Sequence, residues 1–220
     1  MKKVLTGLLG GLLVLLLASG MAMAYTITYT YADTVKDWPG HETAFNDQIG
    51  SPRVETMYVT ITDGYLDKVE IEVRNRQLWD TLFINAKDAG AEGYTYEQWD
   101  YYVLSTSGGS SIFEVAEDYE YIKVKDTMNG QRAGHPAGIN DDYLTAADPS
   151  ILASVTWIDD LLVYDFSATG IYVGSSFAIG YSQYCANDVH LAQLTPVPEP
   201  MTMLLLGFGL LGLGLARRKS

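Results

Sequence analysis

Residues 54–74 read Val54-Glu55-Thr56-Met57-Tyr58-Val59-Thr60-Ile61-Thr62, then Asp63-Gly64, then Tyr65-Leu66-Asp67-Lys68-Val69-Glu70-Ile71-Glu72-Val73-Arg74. Met57, Val59 and Ile61 alternate with polar residues, which puts them on one face of an extended chain. Asp63-Gly64 supplies a two-residue turn in which positive φ is tolerated. The return arm repeats the alternation. Val69, Ile71 and Val73 point one way, and Lys68, Glu70, Glu72 and Arg74 the other. A hairpin with one buried and one solvated face sets the class, an antiparallel sheet protein.

The same reading extends outward. Residues 25–31 alternate strictly, with Tyr25, Ile27, Tyr29 and Tyr31 on one side and threonines on the other. Further strands are expected over 81–86, 100–104, 112–115, 119–125, 151–157, 161–166, 171–181 and 189–194. Asp159-Asp160 marks a second hairpin. Long helical periodicity is absent, with one or two helical turns expected at 42–49 and 142–147. Residues 129–149, with Gly130, Gly134, Pro136, Gly138 and Pro149, read as the longest loop. About ten short strands with Gly, Asp and Ser turns predict an all-β, antiparallel β-sandwich of jelly-roll or lectin-like type.

Both ends of the chain stand apart from that domain. Lys2-Lys3, an apolar run over 5–17 and Ala22-Met23-Ala24 have the form of a signal peptide cleaved after Ala24, so passage through the Sec translocon is expected. An uncleaved anchor is the alternative. At the other end Pro196-Val197-Pro198-Glu199-Pro200 precedes sixteen mostly apolar residues, 201–216, and then Arg217-Arg218-Lys219-Ser220. As a helix that run is about 24 Å long, slightly short of a ~30 Å hydrocarbon core. Gly207, Gly209, Gly212 and Gly214 weaken it further. A transient span with its basic end in the cytoplasm follows; an ordinary tail anchor is the alternative. The expected organisation is residues 1–24 signal peptide, 25–194 β-sandwich domain and 195–220 sorting signal.

Pro198, Glu199 and Pro200, the glycine-rich span and the basic Arg217 and Arg218 together resemble the PEP-CTERM sorting signal, over residues 196–219. That resemblance implies a membrane processing enzyme, exosortase, which recognises the signal and removes the tail. It implies a Gram-negative bacterium, a transient inner-membrane anchor, and then the cell surface or extracellular matrix, alongside exopolysaccharide or biofilm. Within the domain, Trp38-Pro39-Gly40-His41, residues 47–52, Asp63-Gly64-Tyr65-Leu66 and residues 185–189 look like features of some exported PEP-CTERM sandwich proteins. These blocks support the fold and assign no residue roles.

The whole chain carries a net charge of −13. Without residues 1–24 and 195–220 it keeps nine basic and 26 acidic residues, a net charge of −17. Such a surface repels nucleic acid, anionic lipid and acidic polysaccharide unless cations intervene. No nucleic-acid partner is expected. Cys185 is the only cysteine, which excludes an intrachain disulfide and cysteine-rich metal sites. It reads as a small buried hydrophobe.

Catalytic signals are weak. His41, His135 and His190 are the only histidines, and no Gly-x-Ser-x-Gly elbow accompanies them. Carboxylates such as Asp80, Glu97, Asp100, Glu114, Glu117 and Asp118 are too numerous for any pair to single itself out for glycoside hydrolysis. The chain is therefore read as non-enzymatic, with a carbohydrate-active hydrolase as the alternative. Two binding sites are expected. Asp47, Asn187 and Asp188 could share a calcium ion between the loop after the first strand and the start of the last. Trp79 with Asp80, and Trp99 with Asp100, set an aromatic face beside a carboxylate, as binding of an extracellular polysaccharide requires.

Overall fold

A computed structural model describes residues 25–33, 50–76, 79–86, 98–124, 134–166, 170–174, 176–183, 185–186 and 188–194. Within them the strands are β1 (Thr26–Ala32), β2 (Arg53–Thr62), β3 (Tyr65–Arg74), β4 (Asp80–Asn85), β5 (Tyr101–Thr106), β6 (Gly109–Val115), β7 (Tyr121–Lys123), β8 (Pro136–Ile139), β9 (Leu144–Ala146), β10 (Ser154–Ile158), β11 (Leu161–Asp165), β12 (Ile171–Tyr172), β13 (Phe177–Gln183) and β14 (Val189–Leu194). One sheet runs β1-β2-β3-β11-β10, with β12 also on β3, and a second runs β14-β13-β4-β5-β6-β9. Every pairing is antiparallel, and β7 and β8 form a separate ribbon.

The 54–74 hairpin forms as its alternation requires. Asp63 and Gly64 take φ of 53° and 83° in the turn. Met57, Val59, Val69, Ile71 and Val73 are fully buried. They meet Leu82, Ile84, Phe177, Ile179 and Tyr181 from the second sheet in one core, so the two sheets form a sandwich. Each such side chain is stabilised by roughly 1.5–3 kcal/mol on leaving water. The ring of Tyr29 crosses to Phe177 at 6.2 Å.

The second sheet is covered on both faces at β4 and β13. Every residue of β4 and of β13 is buried. Their even and odd positions serve different clusters: Leu82 and Ile84 face the inter-sheet core, whereas Phe83 joins Trp99, Tyr102, Ile139, Ala178 and Val189 on the outer face. The β7–β8 ribbon closes over that second cluster, tied down where the Ser182 hydroxyl donates to the Pro136 carbonyl.

Several expectations change. Consecutive strands pair within a sheet, as the meanders β1-β2-β3 and β4-β5-β6, whereas a jelly roll sends consecutive strands to alternate sheets. Among the described strands the chain passes between the sheets from β3 to β4, from β9 to β10 and from β12 to β13; β3 pairs β11 in one sheet, and β4 pairs β13 in the other. The single strand expected over 171–181 is two, because the chain changes sheets at Gly174, where φ is 56°. The part of the 129–149 loop that is described, from Gly134 on, is ordered into β8, a 3-10 turn at Asp141–Tyr143 and β9. Asn140 and Asp148 cap this turn and the next, at Pro149–Ile151, each accepting from the backbone N–H two residues on. The helical turn expected at 142–147 is thus one 3-10 turn followed by a strand. The turn expected at 42–49 lies outside the described residues.

Candidate functional site

Asp80 opens β4 pointing into the inter-sheet core and is fully buried. One carboxylate oxygen accepts from the Tyr181 hydroxyl at 2.6 Å. The other accepts from the Arg76 Nε at 2.6 Å and from its terminal nitrogen. The fully buried Tyr164 lies in the field of the same carboxylate. Burial raises the Asp80 carboxyl above its ordinary value of 3.8, while the bonds from Tyr181 and Arg76 pull against that rise. Burial, followed by the Asp80 charge, drives the Tyr164 and Tyr181 phenols well above 10. Arg76 completes the group by stacking on the Trp157 ring at 5.1 Å. This arrangement binds charge internally: both oxygens of Asp80 are in use, and solvent does not reach them.

The other expected saccharide residues separate. Trp79 is 46% exposed and holds φ at 89°. Trp99 is buried in the second cluster, where its indole nitrogen donates to the Tyr121 hydroxyl and its ring leans on Phe83 at 5.6 Å. Asp100 accepts from the Ala86 N–H at 2.8 Å and clamps the connection between β4 and β5. Neither Trp-Asp pair offers an aromatic face and a carboxylate together, because Asp80 and Trp99 are the buried members.

Asp188 is fully buried, and one of its oxygens accepts from the Val54 N–H at 2.7 Å. It joins the start of β14 to the start of β2. Asp47 and Asn187, its expected calcium partners, lie outside the described residues. Among the described residues no group of three or more His, Cys, Asp or Glu side chains is placed to hold a metal ion. His135 and His190 are both buried. His135 Nδ1 meets the Ala186 carbonyl at 2.7 Å, and His190 Nδ1 lies 3.2 Å from Asp33. Cys185 is half-buried, its Sγ 3.7 Å from Gln183 Oε1.

A feature that alternation could not single out lies at the turn end of the first sheet. Tyr65 and Tyr172 are direct cross-strand partners, with rings 5.2 Å apart at 68°. They remain 47% and 62% exposed. Three glycines at positive φ surround them. A Cβ on Gly64 would stand 2.9 Å from the Tyr172 ring, and one on Gly170 would stand 3.0 Å from Tyr65. The Gly64 carbonyl accepts from both Val173 and Gly174. Gly64 is legible in the sequence as a turn residue, whereas Gly170 and Gly174 gain meaning only from the β3–β12 pairing.

The C-terminal residues that carry the sorting reading, Pro198, Glu199, Pro200, Arg217 and Arg218, lie outside the described residues. Among the described residues no helix is long and apolar enough to cross a membrane. No curated protein and no solved structure matches the chain. One family model does match, that of the PEP-CTERM protein-sorting motif, over residues 196–219. The motif marks an exported chain that is targeted to an exosortase through a membrane-anchoring signal. The chain therefore carries the PEP-CTERM protein-sorting motif at residues 196–219, following an antiparallel β-sandwich.

Proposed function

We propose that this protein is a non-enzymatic component of the cell surface or extracellular matrix of a Gram-negative bacterium, and that its sandwich binds saccharide there. A signal peptide over 1–24 delivers it through the Sec translocon. The 201–216 span holds it briefly at the inner membrane, and exosortase then removes the tail. The observation that carries this reading is the sorting motif joined directly to one acidic β-sandwich. Export and processing give the location, and a stable sandwich with exposed aromatic rings suits contact with a matrix polymer.

The hydrolase alternative draws on Asp80, whose raised carboxyl resembles that of a general acid. Its two oxygens are held by Tyr181 and Arg76 and are closed to solvent, which favours a role in stability. Calcium shared by Asp47, Asn187 and Asp188 belongs to the same proposal as an accessory that would join the ends of the domain.

The test is retention of the full chain, purified in detergent, on the producing organism's own exopolysaccharide, with calcium and with chelator. Retention without release of reducing sugar is the expected result. Release of reducing sugar would replace this reading with the hydrolase. Absence of retention in both conditions would remove the saccharide part and leave a structural surface protein.

A further inference from the structure

We propose that the row Thr26–Thr62–Tyr65–Tyr172, on the outer face of the first sheet, is a binding site for a neutral polysaccharide chain. The inference rests on the saccharide-binding part of the function proposed above and gives it a place and a ligand class.

Register builds the row. Thr26 pairs with Thr62, Thr62 with Tyr65 and Tyr65 with Tyr172. Directly paired residues project to the same face of a sheet, so four side chains stand side by side across β1, β2, β3 and β12. At about 4.8 Å between strands the row is about 14 Å long. One half is aromatic and the other hydroxylic. The Thr26 and Thr62 hydroxyls are 2.9 Å apart, and Thr62 donates onward to Asp67 at 3.4 Å. Asp67 is the extra residue where the β2–β3 register shifts, and such a bulge re-aims its side chain.

The rings are held in place without being covered. Glycine in a left-handed conformation costs chain entropy, and three of them surround rings that stay largely in solvent. Tyr172 packs against the Gly64 backbone, Tyr65 against the Gly170 backbone, and the two rings against each other, with no room for a methyl group at either glycine. A fixed, exposed ring loses little freedom when a ligand stacks on it. A pyranose ring has an apolar C–H face and a rim of hydroxyls, and this row offers an aromatic surface beside hydroxyl and carboxylate acceptors.

Charge selects the ligand class. Asp63 and Asp67 lie beside the row, and residues 25–194 carry a net charge of −17. Lys68, the nearest basic residue in sequence, is paired with Glu70 at 3.0 Å. A uronate or phosphorylated polymer would meet repulsion here, whereas a neutral one would not.

The experiment is affinity electrophoresis of the full chain in detergent through gels containing a β-1,4-glucan, an α-1,4-glucan, a galactomannan or alginate. Retardation by at least one neutral glycan and not by alginate is expected. The double variant Tyr65→Ala/Tyr172→Ala should bind roughly tenfold more weakly, about 1.4 kcal/mol. Tyr172→Ala alone, which removes the more exposed ring, covers the case of a double variant that fails to fold. Hydroxyl-radical footprinting of the unsubstituted chain should show Tyr65 and Tyr172 protected by the retarding glycan. Retardation that survives both variants, with the two rings unprotected, would overturn the site while leaving saccharide binding in place. A change in oligomeric state without a change in glycan binding would assign the face to protein contact and overturn it too. Retardation by alginate alone would overturn the neutral-glycan site and leave saccharide binding in place, and failure of all four glycans to retard the unsubstituted chain would overturn both the site and the saccharide reading.

Discussion

Asp80 has two ties that pull in opposite directions on its proton. Burial favours the neutral carboxyl, and the Arg76 guanidinium favours the carboxylate. The net rise means that the folded protein holds this proton more tightly than the unfolded chain does. The group therefore contributes stability at low pH that is lost as pH rises from the ordinary value of 3.8 through the raised one. Arg76→Met removes the cation and leaves a buried carboxylate unpaired. A loss of about 3–5 kcal/mol is expected near neutral pH. The loss should shrink on acidification, because a protonated Asp80 no longer needs the cation. Urea unfolding of both proteins across that range checks this; a loss independent of pH would mean that Arg76 acts only by packing on Trp157. Asp188 makes a second case. Asp188→Ala strips the Val54 N–H of its acceptor across 134 positions of chain. A cost of about 1–3 kcal/mol is expected from the unsatisfied buried group, read as a lower urea midpoint. An unchanged midpoint would mean that water replaces the carboxylate there.

At the level of elements, the β7–β8 ribbon turns a one-sided sheet into a two-sided one. Gly138 in β8 lies so close to Tyr102 that a Cβ would stand 2.8 Å from the phenol oxygen. Gly138→Ala should lift the ribbon and expose the Phe83–Trp99 cluster, at a cost of about 1–3 kcal/mol. Faster amide exchange in β7 and β8, with the β2–β3 hairpin unchanged, is the expected pattern; uniform loosening would mean that the ribbon and sandwich unfold as one. The physical reason for what could and could not be read from the sequence is visible here. The β2–β3 hairpin was legible because one face is wet and the pattern alternates. In β4 and β13 both faces are dry, so alternation disappears and a continuous apolar run hides where the chain crosses between sheets. The split at Gly174 and the pairing of β3 with β11 are matters of long-range contact, which local pattern does not encode. The buried state of Asp80 and Trp99 was hidden for the same reason: a Trp beside an Asp reads alike whether it lines a surface or closes a core. Tyr65 and Tyr172 are 107 positions apart, and only the β3–β12 pairing brings them together.

For the whole molecule, the two ends and the sandwich bear on one another. The Tyr25 N–H lies 2.8 Å from Asp63 Oδ1, and the Asp63 N–H returns to the Tyr25 carbonyl at 3.0 Å. Cleavage after Ala24 would turn that amide nitrogen into an ammonium against a carboxylate, held at the turn of the hairpin that organises the first sheet. The processed chain should then be more stable than the precursor, by a margin within the roughly 0.2–1 kcal/mol of an exposed ion pair. Asp63→Asn should cancel most of that margin in the processed form and change the precursor little. Intact-mass measurement of the protein recovered from producing cells identifies the form in hand, and thermal melts of each form with and without the substitution give the comparison. A mass that begins at another residue would remove the ammonium from Asp63 and end the argument. The same mass reads the other terminus: loss of residues beyond the Pro198-Glu199-Pro200 segment is expected in normal cells, and Glu199→Ala should leave the 201–216 span attached and the protein in the membrane fraction. Release of the Glu199→Ala protein at the normal mass would show that processing does not depend on the acidic residue of the motif.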